Sequence, residues 1–72
     1  MKFKYIEKNP EVCGGKPVFK GTRIPVYIVL DLLSAGESVE NILKNYPILK
    51  KEAVFEALRL ASELYKNERG AN

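Results

Sequence analysis

From Gly14 to Val26 the chain reads Gly-Gly-Lys-Pro-Val-Phe-Lys-Gly-Thr-Arg-Ile-Pro-Val, so glycines and prolines bracket a short β-branched and aromatic run. Glycine permits turns at positive φ, and each proline fixes φ and removes a backbone donor. The pattern predicts a strand over Val18 to Ile24, entered through a tight turn and left directly into a helix that begins at Pro25. Three cations, Lys16, Lys20 and Arg23, are interleaved with it. They are either the solvated charges of a structural hairpin or the contacts of an anion-binding arm.

The chain has 72 residues and reads as a single domain over 1–72: a β-extension over 1–24, a helical core over 25–66 and a tail over 67–72. A domain near this length buries only about 60% of the surface its unfolded chain exposes. With one cysteine and no histidine, neither a disulfide nor a Cys/His metal site adds stability. Self-association is the remaining route to more buried area, so a homodimer is expected. Cys13, alone in a glycine turn, reads as a half-buried thiol that suits a reducing compartment. The start Met-Lys-Phe-Lys-Tyr-Ile-Glu-Lys is too charged for a signal peptide, and no apolar run approaches the ~20 residues of a membrane span. A cytoplasmic location is expected.

Net charge is +3, unevenly spread. Residues 1–24 carry Lys2, Lys4, Lys8, Lys16, Lys20 and Arg23 against Glu7 and Glu11, a net +4, whereas six cations and seven anions leave 25–72 at −1. An anionic partner should meet the amino-terminal third.

Phe3 to Ile6 reads as an exposed edge strand. Two strands alone are marginal in water and gain by pairing with those of a second subunit. In the first helix Val26, Tyr27, Ile28, Val29, Leu30, Leu32 and Leu33 leave it apolar on nearly every side before Gly36 caps it, so one face calls for a second chain. These arguments place the dimer interface at Phe3, Tyr5, Val18, Phe19, Tyr27 and Ile28. Ser38 and Glu40 open a second helix whose Val39, Ile42, Leu43 and Tyr46 form one stripe that Pro47 ends. A third helix from about Lys51 to Lys66 turns Ala53, Val54, Ala57, Leu58, Ala61, Leu64 and Tyr65 to the core. The fold class is mainly α: a three-helix helix-turn-helix core with an amino-terminal β-hairpin or exchanged strands.

Without histidine, a serine-nucleophile motif, a phosphate-binding loop or a cysteine cluster, the sequence reads as non-enzymatic, with no cofactor, metal or small-molecule substrate. Glu52 and Glu56 share a helix face, and their neighbours Lys51 and Arg59 suggest a solvated, salt-bridged surface. Nucleic acid is the first candidate ligand. Lys50 and Lys51 are placed to hold phosphates and Arg59 to reach a base, but the third helix is close to neutral and poor in Asn and Gln. The amino-terminal segment suits DNA better: Lys16 and Lys20 for phosphates, Thr22 for a further hydrogen bond, Arg23 for a bidentate contact. A buried ion pair between Arg23 and Asp31 is the alternative.

The run Asn9-Pro10-Glu11-Val12-Cys13-Gly14-Gly15-Lys16-Pro17, then Lys20-Gly21-Thr22-Arg23-Ile24-Pro25-Val26, resembles the bacterial and archaeal family catalogued as domain of unknown function number 433. The likeness continues through Gly36-Glu37-Ser38-Val39, Ile42-Leu43-Lys44-Asn45-Tyr46-Pro47, Glu52-Ala53-Val54 and Ala57-Leu58, roughly residues 5 to 65. It implies a homeodomain-like core carrying an amino-terminal β-extension, either kept within the chain or exchanged between subunits. It also implies an antitoxin role, because genes of the family often neighbour one for a small PIN-like nuclease; such an antitoxin binds its toxin and, as a dimer, represses its own operon. Toxin-facing groups would be Phe55, Leu60 and Tyr65 with the tail including Arg69. Phe55 falls off the main apolar stripe, and its other reading is closure of the dimer or of the gap above the first helix.

Overall fold

The computed structural model of the chain describes residues 3–69, with side chains through Lys66. Strands β1 (Ile6–Lys8) and β2 (Pro17–Phe19) flank a 3-10 turn at Cys13–Gly15, and helices α1 (Val26–Ser34), α2 (Val39–Asn45) and α3 (Lys51–Arg69) follow. The strands pair antiparallel within the chain, Ile6 opposite Phe19 and Lys8 opposite Pro17, which makes the arm a hairpin.

Both strands sit differently from the sequence reading, β1 three residues later and β2 much shorter. The cause is the turn after Phe19. Gly21 takes φ 75°, and Thr22 folds back so that its N–H and its hydroxyl both donate to the Phe19 carbonyl, at 3.0 and 2.7 Å. The same Thr22 oxygen accepts the Ile24 N–H at 3.0 Å. The chain then returns alongside β2, where Phe19 donates to the Ile24 carbonyl and Val18 bridges Pro25. Pro25 is therefore extended (ψ 142°) and precedes the helix instead of occupying its first turn.

Helix α1 ends in a Schellman motif. Gly36 takes φ 97°, its N–H donates to the Leu33 carbonyl, and the Glu37 N–H reaches Leu32, both at 3.0 Å. Ser38 then caps α2, its hydroxyl accepting the Asn41 N–H at 3.0 Å. Residues 46–50 connect α2 to α3 in the helix-turn-helix order, and Lys50 caps α3 through its carbonyl, which accepts from Ala53 and Val54.

One core lies where the hairpin, α1, α2 and α3 meet: Ile6, Phe19, Val26, Val29, Ile42, Leu49, Ala53, Val54 and Ala57. Fully burying one such large side chain contributes about 1.5–3 kcal/mol. Two expectations fall here. Val18 and Phe19, assigned to a subunit interface, are buried within the chain and have no surface to give a partner. Helix α1 is covered on most sides by its own chain: Val26 and Val29 are buried and Ile28, Leu30, Leu32 and Leu33 half-buried, while Tyr27 stays 48% exposed. On α3 the core stripe is shorter than the sequence suggested, since Leu58, Leu64 and Tyr65 are exposed. Among the described residues no helix is long and apolar enough to cross a membrane.

Candidate functional site

Glu56 fixes the amino-terminal arm to α3. Its two carboxylate oxygens accept the backbone N–H groups of Lys4 and Tyr5, each at 2.8 Å. The pairing replaces the solvated, salt-bridged role read from sequence: Glu56 is half-buried and makes no ion pair among the described residues. Charge-assisted bonds from a carboxylate to backbone amides are roughly twice as strong as neutral ones. The Tyr5 carbonyl in turn accepts the Lys20 N–H at 2.8 Å. Glu56 thus positions Tyr5, and Tyr5 positions Lys20.

Lys20 and Lys50 line one cleft. Tyr5, Phe19, Leu49 and Ala53 form its floor, with Thr22 and Ile48 beside them, and it encloses about 170 Å³. Both lysines are exposed, and neither has an ion-pair partner among the described residues. Thr22 borders the cleft, but its hydroxyl hydrogen is held by the Phe19 carbonyl, so it is a turn-former with no proton to offer a phosphate.

Lys16 lies elsewhere, at the opposite end of β2. Its ammonium sits 5.5 Å from the centre of the Tyr27 ring, a cation–π geometry. Together with Pro17, Val26, Leu30, Leu60 and Leu64 the two side chains line a second, apolar groove of about 180 Å³. The anion-binding arm expected from Lys16, Lys20 and Arg23 is therefore divided between two faces. Arg23 is exposed, and the pair with Asp31 is not formed; its carbonyl receives the Cys13 thiol at 3.7 Å. Cys13 itself is exposed, not half-buried.

This hairpin-plus-three-helix chain has relatives among known proteins. The family model described as "Protein of unknown function (DUF433)" matches residues 6–61. The chain belongs to the DUF433 family. It is similar to "Uncharacterized protein y4eO" of Sinorhizobium fredii (strain NBRC 101917 / NGR234), at 44% identity over 57 residues, covering 79% of this chain and 24% of that protein. It also resembles the crystal structure of a DUF433 member from Anabaena variabilis ATCC 29413, with a TM-score of 0.78 and 32% identity, covering 82% of this chain and 58% of that one. The chain thus spans about a quarter of the curated relative's length and under two thirds of the solved one's.

Of the remaining residues singled out in this DUF433 chain, Lys51 and Arg59 are exposed on α3, apart from the Lys20–Lys50 cleft. Leu60 is half-buried in the apolar groove, and Phe55 and Tyr65 are exposed. The Arg69 side chain and residues 70–72 lie outside the described residues. Phe3, Tyr5 and Ile28 are half-buried against their own chain. Among the described residues no three of Cys, Asp and Glu gather as a metal site needs. Sequence reasoning missed this anchoring role of Glu56, because a carboxylate holding a distant backbone leaves no periodic signal; its one trace is an acid in a helix opposite a +4 arm.

Proposed function

We propose that the chain is a DNA-contacting regulator of the antitoxin class. The reading is carried by Lys20 and Lys50, thirty positions apart in sequence, which line one cleft without a counter-charge among the described residues. Two cations brought together in this way repel each other, and a bridging phosphate relieves the repulsion. The amino terminus of α3 adds its partial positive charge at the same end. Fluorescence anisotropy tests the reading, using a labelled duplex from upstream of the chain's own reading frame and an unrelated duplex across a salt series. Lys20→Ala and Lys50→Ala should each weaken binding and reduce the log–log salt slope by about 0.9. Absence of binding at low salt, or slopes that neither change alters, would refute it.

The antitoxin half rests on the family resemblance, and the apolar groove of Pro17, Tyr27, Leu30, Leu60 and Leu64 supports it. A groove lined almost entirely by apolar side chains suits a protein partner better than a nucleic acid. Co-expression with a PIN-like nuclease encoded beside the chain should give a complex that survives high salt and is lost with Leu64→Glu. Recovery of the chain without the nuclease would remove this half and leave the DNA reading standing.

A further inference from the structure

Helix α3 carries a second apolar stripe that stays about half exposed. Phe55, Leu58 and Tyr65 are 49%, 43% and 59% exposed, and Ser62 between them is exposed too. At about 100° per residue the four fall within roughly 80° of arc, in the 3-4-3 spacing of a coiled-coil seam. Their direction lies about 120° around the helix from the buried stripe of Ala53, Val54 and Ala57. The stripe is thus separate from the groove that Leu60 and Leu64 line on the other side of the helix.

We propose that this stripe pairs with the same stripe of a second copy, the two α3 helices running antiparallel. The order of residues carries the assignment. Turned end for end, the stripe sets Phe55 against Tyr65 of the second copy and Leu58 against Ser62, so each large side chain meets an aromatic ring or a small residue and never its own duplicate. Charge agrees with that register. Glu52, Arg59 and Lys66, all exposed, run along one edge of the stripe, and an antiparallel pair brings this edge against its copy. Glu52 then faces Lys66 of the second copy, twice over. Arg59, beside the two-fold axis, faces another Arg59, which tempers the affinity.

The stripe is about 15 Å long and its buried area falls below the ~800 Å² per partner of a standard interface, so the dimer should be weak and concentration-dependent. This pairing stands without the DNA reading, yet bears on it. The two Lys50 positions would lie about 30 Å apart along the helices, close to one turn of B-DNA.

Sedimentation equilibrium of the chain without DNA, from about 1 µM to 1 mM, tests the pairing. The expected result is a reversible monomer–dimer equilibrium. Phe55→Glu should abolish it, Glu52→Lys and Lys66→Glu should each weaken it about three- to tenfold, and the two changes together should bring it back. Arg59→Ala should tighten it. Circular dichroism confirms that each variant is folded. To read the register directly, a Leu58→Cys chain is mixed with a Ser62→Cys chain, both carrying Cys13→Ser, and a disulfide between the two is expected. A chain that stays monomeric throughout overturns the proposal, as does a dimer indifferent to Phe55→Glu and to the charge exchange.

Discussion

Glu56 and Tyr5 are joined across 51 positions of chain, the Glu56 Oε1 accepting the Tyr5 N–H at 2.8 Å while Oε2 takes the N–H of Lys4. Tyr5 is half-buried, so its amide cannot simply turn to water when the carboxylate is removed. Glu56→Ala should therefore cost about 1.5–3 kcal/mol in denaturant unfolding. Glu56→Gln should cost about half as much, because an amide keeps one acceptor oxygen and turns an N–H toward the other donor. Faster hydrogen exchange at the Tyr5 amide would identify release of the arm as the cause.

Thr22 gives a prediction that separates folding from binding. Its hydroxyl donates to Phe19 and accepts from Ile24, closing the turn that follows β2. Thr22→Val keeps the shape and loses both bonds, which should lower stability by about 1–2 kcal/mol. Thr22→Ser keeps the hydroxyl and should cost less. If Thr22 instead bound phosphate directly, Thr22→Val would lower the DNA salt slope; a destabilised variant with an unchanged slope is expected.

Lys16 and Lys20 are alike in a string of residues and unlike in space. Lys16 rests over the Tyr27 ring beside the apolar groove, whereas Lys20 shares a cleft with Lys50. Lys16→Ala should leave the salt slope of DNA binding unchanged, while Lys20→Ala lowers it by about 0.9. Equal losses for the two would restore the single anion-binding arm and remove the cleft as the phosphate site.

The contrast shows which features the sequence carried. Local signals survived: Ser38 caps α2, Gly36 closes α1, and Ile42, Ala53, Val54 and Ala57 enter the core at helical spacing. Features set by distant segments did not. The tight return after Gly21 halved β2, and with it the residues meant to face a partner became core. Leu49, which lies between the second and third helices outside any periodic stripe, is buried because the α2–α3 connection is pressed against the hairpin, where it lines the same cleft as Tyr5 and Phe19. Leu58 fitted the periodicity of α3 and still points outward, since an apolar arc this wide on one helix does not reveal which part the chain itself will cover.

Gly36 allows backbone strain to be measured almost alone. A Cβ at this position would meet nothing within 4 Å, yet φ is 97° and the Schellman bonds to Leu32 and Leu33 depend on that conformation. Gly36→Ala therefore adds no clash, and its cost is that of forcing an L-residue to positive φ, about 1–2 kcal/mol. For a domain of this size each 1 kcal/mol lowers the melting temperature by about 4–8 °C. Gly36→Asn should recover part of the loss, because asparagine tolerates the left-handed region better than alanine. Thermal unfolding of the three forms should rank glycine above asparagine above alanine. An alanine variant as stable as the glycine form would mean that the α1–α2 junction re-forms without the left-handed residue, and that the motif does not set the angle at which α2 leaves α1.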